Sequence, residues 1–218
     1  GQLVASIAHE IRTPLTSIKT FTEMLPNKYD NADFREKISR FVPQEIERLN
    51  RVVNDLLSYA NPPAVQREVL PLKSLVDGVL VYFADAISRQ GIKLDIDFDE
   101  QLSVWVDRHQ MKQVLINVLL NAVQALERQT SPQLLLSAEQ REGAILLLVT
   151  DNGPGISADA LAKAFEPFFT TKTGGTGLGL FVSYQLARRN DVEIRLESPP
   201  NGGMTVRLIF GYNPEVSG

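Results

Sequence analysis

Cysteine is absent from this 218-residue chain, which excludes disulfides, thiolate metal sites and a thiol nucleophile. Histidine is nearly as scarce. His9 and His109 are the only two, so a His-rich metal centre is excluded as well. Unbroken apolar runs are short: the one over 144–149 has six residues, against roughly 20 for a membrane-spanning helix. No N-terminal stretch combines a charged start, an apolar centre and a small-residue cleavage site. Net charge is −4 and no block of Lys and Arg stands out, so no nucleic-acid partner is expected. What remains is a globular composition, 44% hydrophobic and 22% charged, in a length that suits one large domain or two small ones.

Hydrophobic periodicity divides the chain. Leu3, Ile7, Ile11, Leu15, Ile18, Phe21 and Leu25 recur at helical steps. Pro26-Asn27 and the polar stretch to Asp33 break that pattern. A second helical stripe runs from Ile38 to Leu57, and Asn61-Pro62-Pro63 stops it. Two helices so joined form an antiparallel hairpin. One hairpin cannot cover both its stripes, so a four-helix bundle made by two chains is expected. Pro14 and Pro43 fall inside the helices and are expected to kink or loosen them. Beyond residue 63, helices and strands mix. Residues 72–90 read as one helix, and 92–98, 103–106, 134–138, 144–149, 192–197 and 204–210 as strands. Asp107 reads as an N-cap, with Gln110 as its capping-box partner, for a helix reaching Arg128. Residues 157–164 and 177–189 read as further helices. The expected fold is α+β: a helical hairpin over 1–62, a hinge linker over 63–66, and an α/β sandwich over 67–218 with helices on one sheet face.

Four places carry chemistry. His9 lies about 180° from the centre of the first helical stripe, with Thr13 and Thr16 beside it; alone, that describes a solvated surface histidine. His9-Glu10-Ile11-Arg12-Thr13 begins like a zinc-protease motif, but Thr13 stands where the second histidine should be. In the helix after Asp107, the stripe of Met111, Val114, Leu115, Val118, Leu119, Ala122 and Leu126 leaves Asn117 and Asn121 on the opposite side, one turn apart. Two amide oxygens at that spacing suit one hard cation such as Mg²⁺, and equally describe a surface pair. Asp151-Asn152-Gly153-Pro154-Gly155 follows an apolar strand. A strand-end carboxylate can accept from an exocyclic amine, and glycines admit a flat ring; an ordinary turn has the same composition. The strongest local signal is Thr170-Thr171-Lys172-Thr173-Gly174-Gly175-Thr176-Gly177-Leu178-Gly179-Leu180. Its glycines enter a helix N-terminus, an anion site, and Lys172 adds a compact positive charge. The Gly-Lys-Ser/Thr of a Walker A loop is missing, and so are the motifs of protein kinases.

In combination these elements resemble the catalytic core of the sensor histidine kinases of two-component systems. His9-Glu10-Ile11-Arg12-Thr13-Pro14-Leu15 resembles the H-box, Asn117 to Asn121-Ala122 the N-box, and Asp151-x-Gly-x-Gly the G1 box. Phe165-Glu166-Pro167-Phe168-Phe169 resembles the F-box, 175–179 the G2 box, and Gly202-Gly203-Met204-Thr205 the last glycine box. The resemblance implies a dimerisation and histidine-phosphotransfer hairpin followed by a Bergerat-type ATP-binding sandwich, the fold also of gyrase-type ATPases. It implies that His9 is the phosphoacceptor, attacking the γ-phosphate of ATP, with Glu10 as base and orienter. Asn121 would be the main Mg²⁺ ligand, supported by Asn117. Asp151 would read the adenine amine, Gly153 and Gly155 would shape that pocket, and Thr205 would assist through a water. Lys172 and the turn of Gly175, Thr176, Gly177, Leu178 and Gly179 would hold the triphosphate.

The same resemblance implies a homodimer and phosphotransfer to an aspartate of a response-regulator receiver domain. Thr13 matches the position that orients water when such a kinase dephosphorylates its partner. The short stretch between Phe169 and Gly175 resembles the short-lid, nitrogen-regulation-type branch. With only eight residues before His9, a sensor region is expected upstream in the parent protein. The catalytic core is expected in the cytoplasm, whether that parent is soluble or membrane-anchored. A non-enzymatic ATP-binding adaptor is disfavoured by the full set of His9, Glu10, Asn117, Asn121 and Asp151. A serine kinase or ATP-driven machine of the same nucleotide fold is disfavoured by the hairpin. His109, in a stretch where the family often has proline, reads as a surface residue.

Overall fold

The N-terminal stripes form two helices, α1 (Gln2–Lys28) and α2 (Ala32–Ala60), in a computed structural model that describes residues 2–60, 64–172, 175–200 and 202–211. α1 runs through Pro14 and Pro26, and α2 through Pro43. The break expected at Pro26-Asn27 comes later, because a proline removes a single backbone donor near a helix end where few bonds remain to be made. The chain reverses instead at Asn31. Its N–H donates to the Lys28 carbonyl at 3.1 Å, and its Oδ1 accepts the Phe34 N–H at 3.0 Å. That cap starts α2 six residues before Ile38, the first residue of the apolar stripe. Next to the turn, Phe21 packs against Phe34 and Phe41 with ring centroids 6.0 and 5.0 Å away, fixing the closed end of the hairpin. Further along, Leu15, Ile46, Val53 and Leu57 remain exposed, Leu57 at 61%. Ile46, Val53 and Leu57 stand seven and four residues apart on one face of α2.

Contacts divide the chain into two compact units, Gly1–Pro62 with Glu166–Gly179, and Pro63–Phe165 with Leu180–Gly218. The second unit opens with β1 (Arg67–Pro71), paired antiparallel with β3 (Ser103–Asp107). β1 was not expected: it is five residues long, ends on a proline and has no clean alternation. α3 (Leu72–Leu80), a 3-10 turn (Val81–Phe83) and α4 (Ala84–Gln90) replace the single helix expected over 72–90. Gly91, left-handed at φ 64°, closes α4 on the Ile87 and Ser88 carbonyls.

The main sheet has the order β2 (Lys93–Asp97), β4 (Gln133–Arg141), β5 (Ala144–Asp151), β7 (Met204–Phe210) and β6 (Val192–Glu197). β2 and β4 are parallel; the other neighbours are antiparallel. β5 alternates half-buried and buried residues along its length, so one sheet face is packed and the other is wet. α5 (Arg108–Leu126) lies in the core, with Met111, Val114, Leu115, Val118, Leu119 and Leu126 almost fully buried. α6 (Ala158–Lys163) and α7 (Gly179–Arg189) complete the helices. The architecture is the expected helical hairpin followed by a mixed α/β unit. Among the described residues, no helix is long and apolar enough to cross a membrane.

Asp107 caps α5 as expected. Its Oδ1 accepts the His109 and Gln110 N–H groups, each at 3.0 Å, and its Oδ2 accepts the Gln66 N–H at 2.8 Å. The return bond of a capping box comes from Asn190 rather than Gln110. Asn190 Oδ1 accepts the Asp107 N–H at 2.7 Å, while its Nδ2 donates to Gln110 Oε1 at 3.0 Å and to the Leu186 carbonyl at 2.9 Å. Burial pushes the Asp107 carboxyl up, but the three backbone donors and the nearby His109 outweigh it and hold the group below the usual carboxylate range.

Asp107→Ala is expected to cost about 2 kcal/mol at neutral pH, the cap and a buried network partner together. Because the folded-state pKa is lowered, the unfolded chain takes up the proton first. The stabilisation is therefore complete above about pH 4 and is lost as pH falls through the folded-state value. Urea midpoints of parent and variant should converge in acid, and equal midpoints at neutral pH would rule the cap out. Ile46→Glu combined with Leu57→Glu should turn a two-chain assembly into a monomer in sedimentation equilibrium. A parent that already sediments as one chain would refute the reading of the exposed α2 stripe.

Candidate functional site

Asp151 ends β5 and is only 6% exposed. Its Oδ1 accepts the Gly153 N–H at 2.8 Å, which fixes the carboxylate against its own loop. The turn between β6 and β7 closes on that loop from the other side. The Gly203 N–H donates to the Gly153 carbonyl at 2.7 Å. Ser198 Oγ donates to the Gly203 carbonyl and accepts the Ile156 N–H, both at 2.9 Å. The glycines of this loop are demanded by the protein itself. A Cβ on Gly153 would stand 2.7 Å from Asp151 Oδ1 and 3.0 Å from Ala125 Cβ. One on Gly203, at φ +85°, would stand 2.8 Å from the Asp151 carbonyl oxygen. Gly155, at φ +68°, faces Ser198 Oγ and the Gly203 carbonyl in the same way. Thr205, on β7, pairs across the sheet with Thr150, their hydroxyls 3.0 Å apart. Asp151, Gly153, Gly155 and Thr205 thus come together at one end of the sheet.

Asn117 and Asn121 lie one turn apart on α5, but the outer side of that helix is not open as expected. Asn117 is only 8% exposed, and its Nδ2 donates at 3.2 Å to Ser183 Oγ on α7, itself fully buried. α7 covers α5 at this level, which is why a residue opposite the apolar stripe is buried. Asn121 is half-buried. Two neutral amide oxygens at this spacing fit a hard divalent cation. Among the described residues no cluster of three or more His, Asp or Glu could hold a metal alone. A cation here would therefore take its remaining ligands from water and phosphate oxygens.

Residues 166–179 belong to the first unit, and Thr173 and Gly174 lie outside the described residues. The Phe168 N–H donates to the Gly177 carbonyl at 3.0 Å, and the Gly175 N–H to the Lys172 carbonyl at 3.2 Å. Thr170 Oγ1 accepts the Lys172 N–H at 3.1 Å, and Thr176 Oγ1 the Leu178 N–H at 3.3 Å. A Cβ on Gly177 would strike the Phe168 backbone. Lys172 is exposed, Leu178 is buried, and Gly179 opens α7. The helix start expected at Gly177 moves to Gly179, because the Gly177 carbonyl serves the Phe168 N–H of the returning loop and its φ of +66° is not helical.

His9 and Glu10 lie within α1, and their side chains fall outside what is described. Thr13 is exposed and follows His9 by four residues, which puts both positions on one helix face. His109 is exposed, as expected. Sequence reasoning missed Ser183, Ser198 and Asn190. Ser183 had a signal: it interrupts an otherwise apolar stripe of Val182, Leu186 and Ala187 on α7, and a polar residue in a buried stripe needs a partner.

Residues 106–213 match the family described as histidine kinase-, DNA gyrase B-, and HSP90-like ATPase, and residues 1–64 the His Kinase A (phospho-acceptor) domain. The signal transduction histidine-protein kinase AtoS of Escherichia coli (strain K12) is 36% identical over 220 residues, covering 99% of this chain and 35% of AtoS. The chain therefore spans about a third of that curated relative's length. The structure of histidine kinase ThkA in complex with response regulator protein TrrA matches 99% of this chain and 62% of its own, at 28% identity and a TM-score of 0.84. The catalytic domain of ThkA, 30% identical with a TM-score of 0.61, is matched over 99% of its length by 69% of this chain. With a phospho-acceptor module leading into an ATPase module, the chain belongs to the sensor histidine kinases.

Proposed function

We propose that the chain is the catalytic core of an ATP-dependent protein-histidine kinase. It phosphorylates itself on His9 and passes the phosphoryl group to an aspartate of a response-regulator receiver domain. The observation that carries this reading is the coexistence, in one chain, of a phospho-acceptor module containing His9-Glu10 and a nucleotide module in which a buried carboxylate, Asp151, is locked at a strand end. The complex of ThkA with the regulator TrrA supports a receiver domain as the partner. The exposed stripe of α2 supports a homodimer. An upstream sensor region and a cytoplasmic location of this core are part of the same proposal.

In this reading the Asp151 carboxylate accepts from the adenine amino group, and Gly153, Gly155 and Thr205 keep its surroundings in shape. Lys172 and the backbone of Gly175, Thr176, Gly177, Leu178 and Gly179 bind the phosphates. Asn121 and Asn117 would hold Mg²⁺ through their amide oxygens, and the ion would supply charge neutralisation at the phosphates. The ring nitrogen of His9 forms a bond to the γ-phosphorus as the bond to the β–γ bridging oxygen breaks, and ADP leaves with that electron pair. Glu10 accepts the proton from the other ring nitrogen. An aspartate oxygen of the receiver then takes the phosphoryl group as the N–P bond breaks, and return of the proton from Glu10 restores the neutral imidazole. Little covalent help is needed, because phosphoryl transfer is served mainly by positioning and charge.

Incubation with γ-labelled ATP and Mg²⁺ should give a label that acid removes and base spares, and His9→Gln should carry none. Acid-stable label, or label on His9→Gln, would refute the reading. Asn121→Asp should lower labelling by about a hundredfold or more at an unchanged melting temperature; unchanged labelling would remove Asn121 from the cation site. Thr13, one helical turn from His9, is assigned to orienting water for removal of phosphate from the receiver. Thr13→Ala should slow that hydrolysis about tenfold more than it changes His9 labelling. Equal effects on both would leave Thr13 without that role.

A further inference from the structure

Asn152 stands beside Asp151, yet none of the boxed roles uses it. Its side chain is engaged at both ends. Oδ1 accepts the Gln133 N–H and Nδ2 donates to the Ser131 carbonyl, each at 2.8 Å. Its backbone repeats the tie. The N–H donates to the Gln133 carbonyl at 3.3 Å, and the carbonyl accepts from Gln129 Nε2. Gln129 is itself bound through its N–H to the Leu126 carbonyl at 3.0 Å, at the end of α5. Asn152 is exposed and stands outside the buried core. What it fixes is position.

The fixed object is the peptide between residues 152 and 153. Its carbonyl is the acceptor of Gln129, and its N–H is the donor that holds Asp151 Oδ1 at 2.8 Å. A rotation of that peptide turns the carboxylate with it. We propose that Asn152 is a specificity-positioning residue: through Ser131 and Gln133 it holds this peptide so that the Asp151 carboxylate meets an amino group on the base and opposes a carbonyl. Adenine presents the amine at that edge and guanine presents the carbonyl oxygen. An ionised carboxylate accepts from the first and repels the second, so its direction sets the preference. The proposal rests on the nucleotide reading of Asp151.

The test is equilibrium binding of ADP and GDP to the full chain, its Asn152→Ala and Asn152→Asp variants, and Asp151→Asn. Asn152→Ala should weaken ADP about tenfold while changing GDP by less than about twofold, so that the preference falls. Asn152→Asp keeps the acceptor for Gln133 and loses the donor to Ser131, and its preference should lie between parent and alanine variant. Misfolding lowers the number of sites and leaves the ratio of the two constants alone. If Asn152→Ala does not fold, the ratio for Asn152→Asp decides, and an unchanged ratio overturns the proposal. Asp151→Asn separates the two ideas. Loss of preference there with full preference in Asn152→Ala overturns the role of Asn152 alone. Preference retained in Asp151→Asn overturns the base reading and this proposal with it.

Discussion

At the end of β5 the backbone of one loop touches another with no space for a side chain between them. The Gly203 N–H reaches the Gly153 carbonyl at 2.7 Å, and a Cβ on Gly153 would crowd Asp151 on one side and Ala125 on the other. Interiors packed this tightly transmit any displacement. A methyl group at residue 153 would have to move the carboxylate proposed to read the base, or the C-terminal turn of α5. The strand registers Asp151↔Met204 and Thr150↔Thr205 depend on the same approach. The glycines expected to admit a ligand ring are thus first required by the protein's own closure.

α5 carries this constraint across the second unit. Its C-terminal turn borders Gly153 through Ala125, its middle reaches α7 through Asn117 and Ser183, and its first turn is held by Asp107. Asp107 also accepts from Gln66, the last residue of the expected hinge, so that end of the linker is fastened to the helix that presents Asn117 and Asn121. Asn190 closes the same cluster from the end of α7. Buried polar groups are costly without partners and stiffening with them. Here they join α5, α7 and β3 into one body.

Much of this is legible in the sequence. The helical stripes, most strands and the Asp107 cap follow from period and capping chemistry, which are local. The boxed residues were legible only as an ordered set, since a surface histidine, a pair of asparagines or a glycine loop has an ordinary reading when taken alone. What escaped was set by partners distant in sequence. β1 exists because Ser103–Asp107 offers it an antiparallel edge. Asn117 is buried because α7 lies over it, 66 residues further on. The capping-box bond assigned to Gln110 goes to Asn190, 83 residues from Asp107. Hydrophobic pattern reports which face of an element is buried; it does not report what covers the opposite face.

The polar residues to which the sequence assigned no role share a property. Ser183, Ser198, Asn190 and Asn152 carry no charge and offer no nucleophile strong enough to matter, and each is bound to backbone or to another neutral side chain. A reaction served by a reactive side chain would advertise itself through a perturbed acid or base in a cleft. The phosphoryl transfer proposed for this chain asks mainly that a nucleotide be held in one orientation, and neutral amides and hydroxyls can serve that without adding charge beside phosphate oxygens. Residues that would set such a geometry are for that reason chemically quiet, and what they do is visible only in what they hold in place.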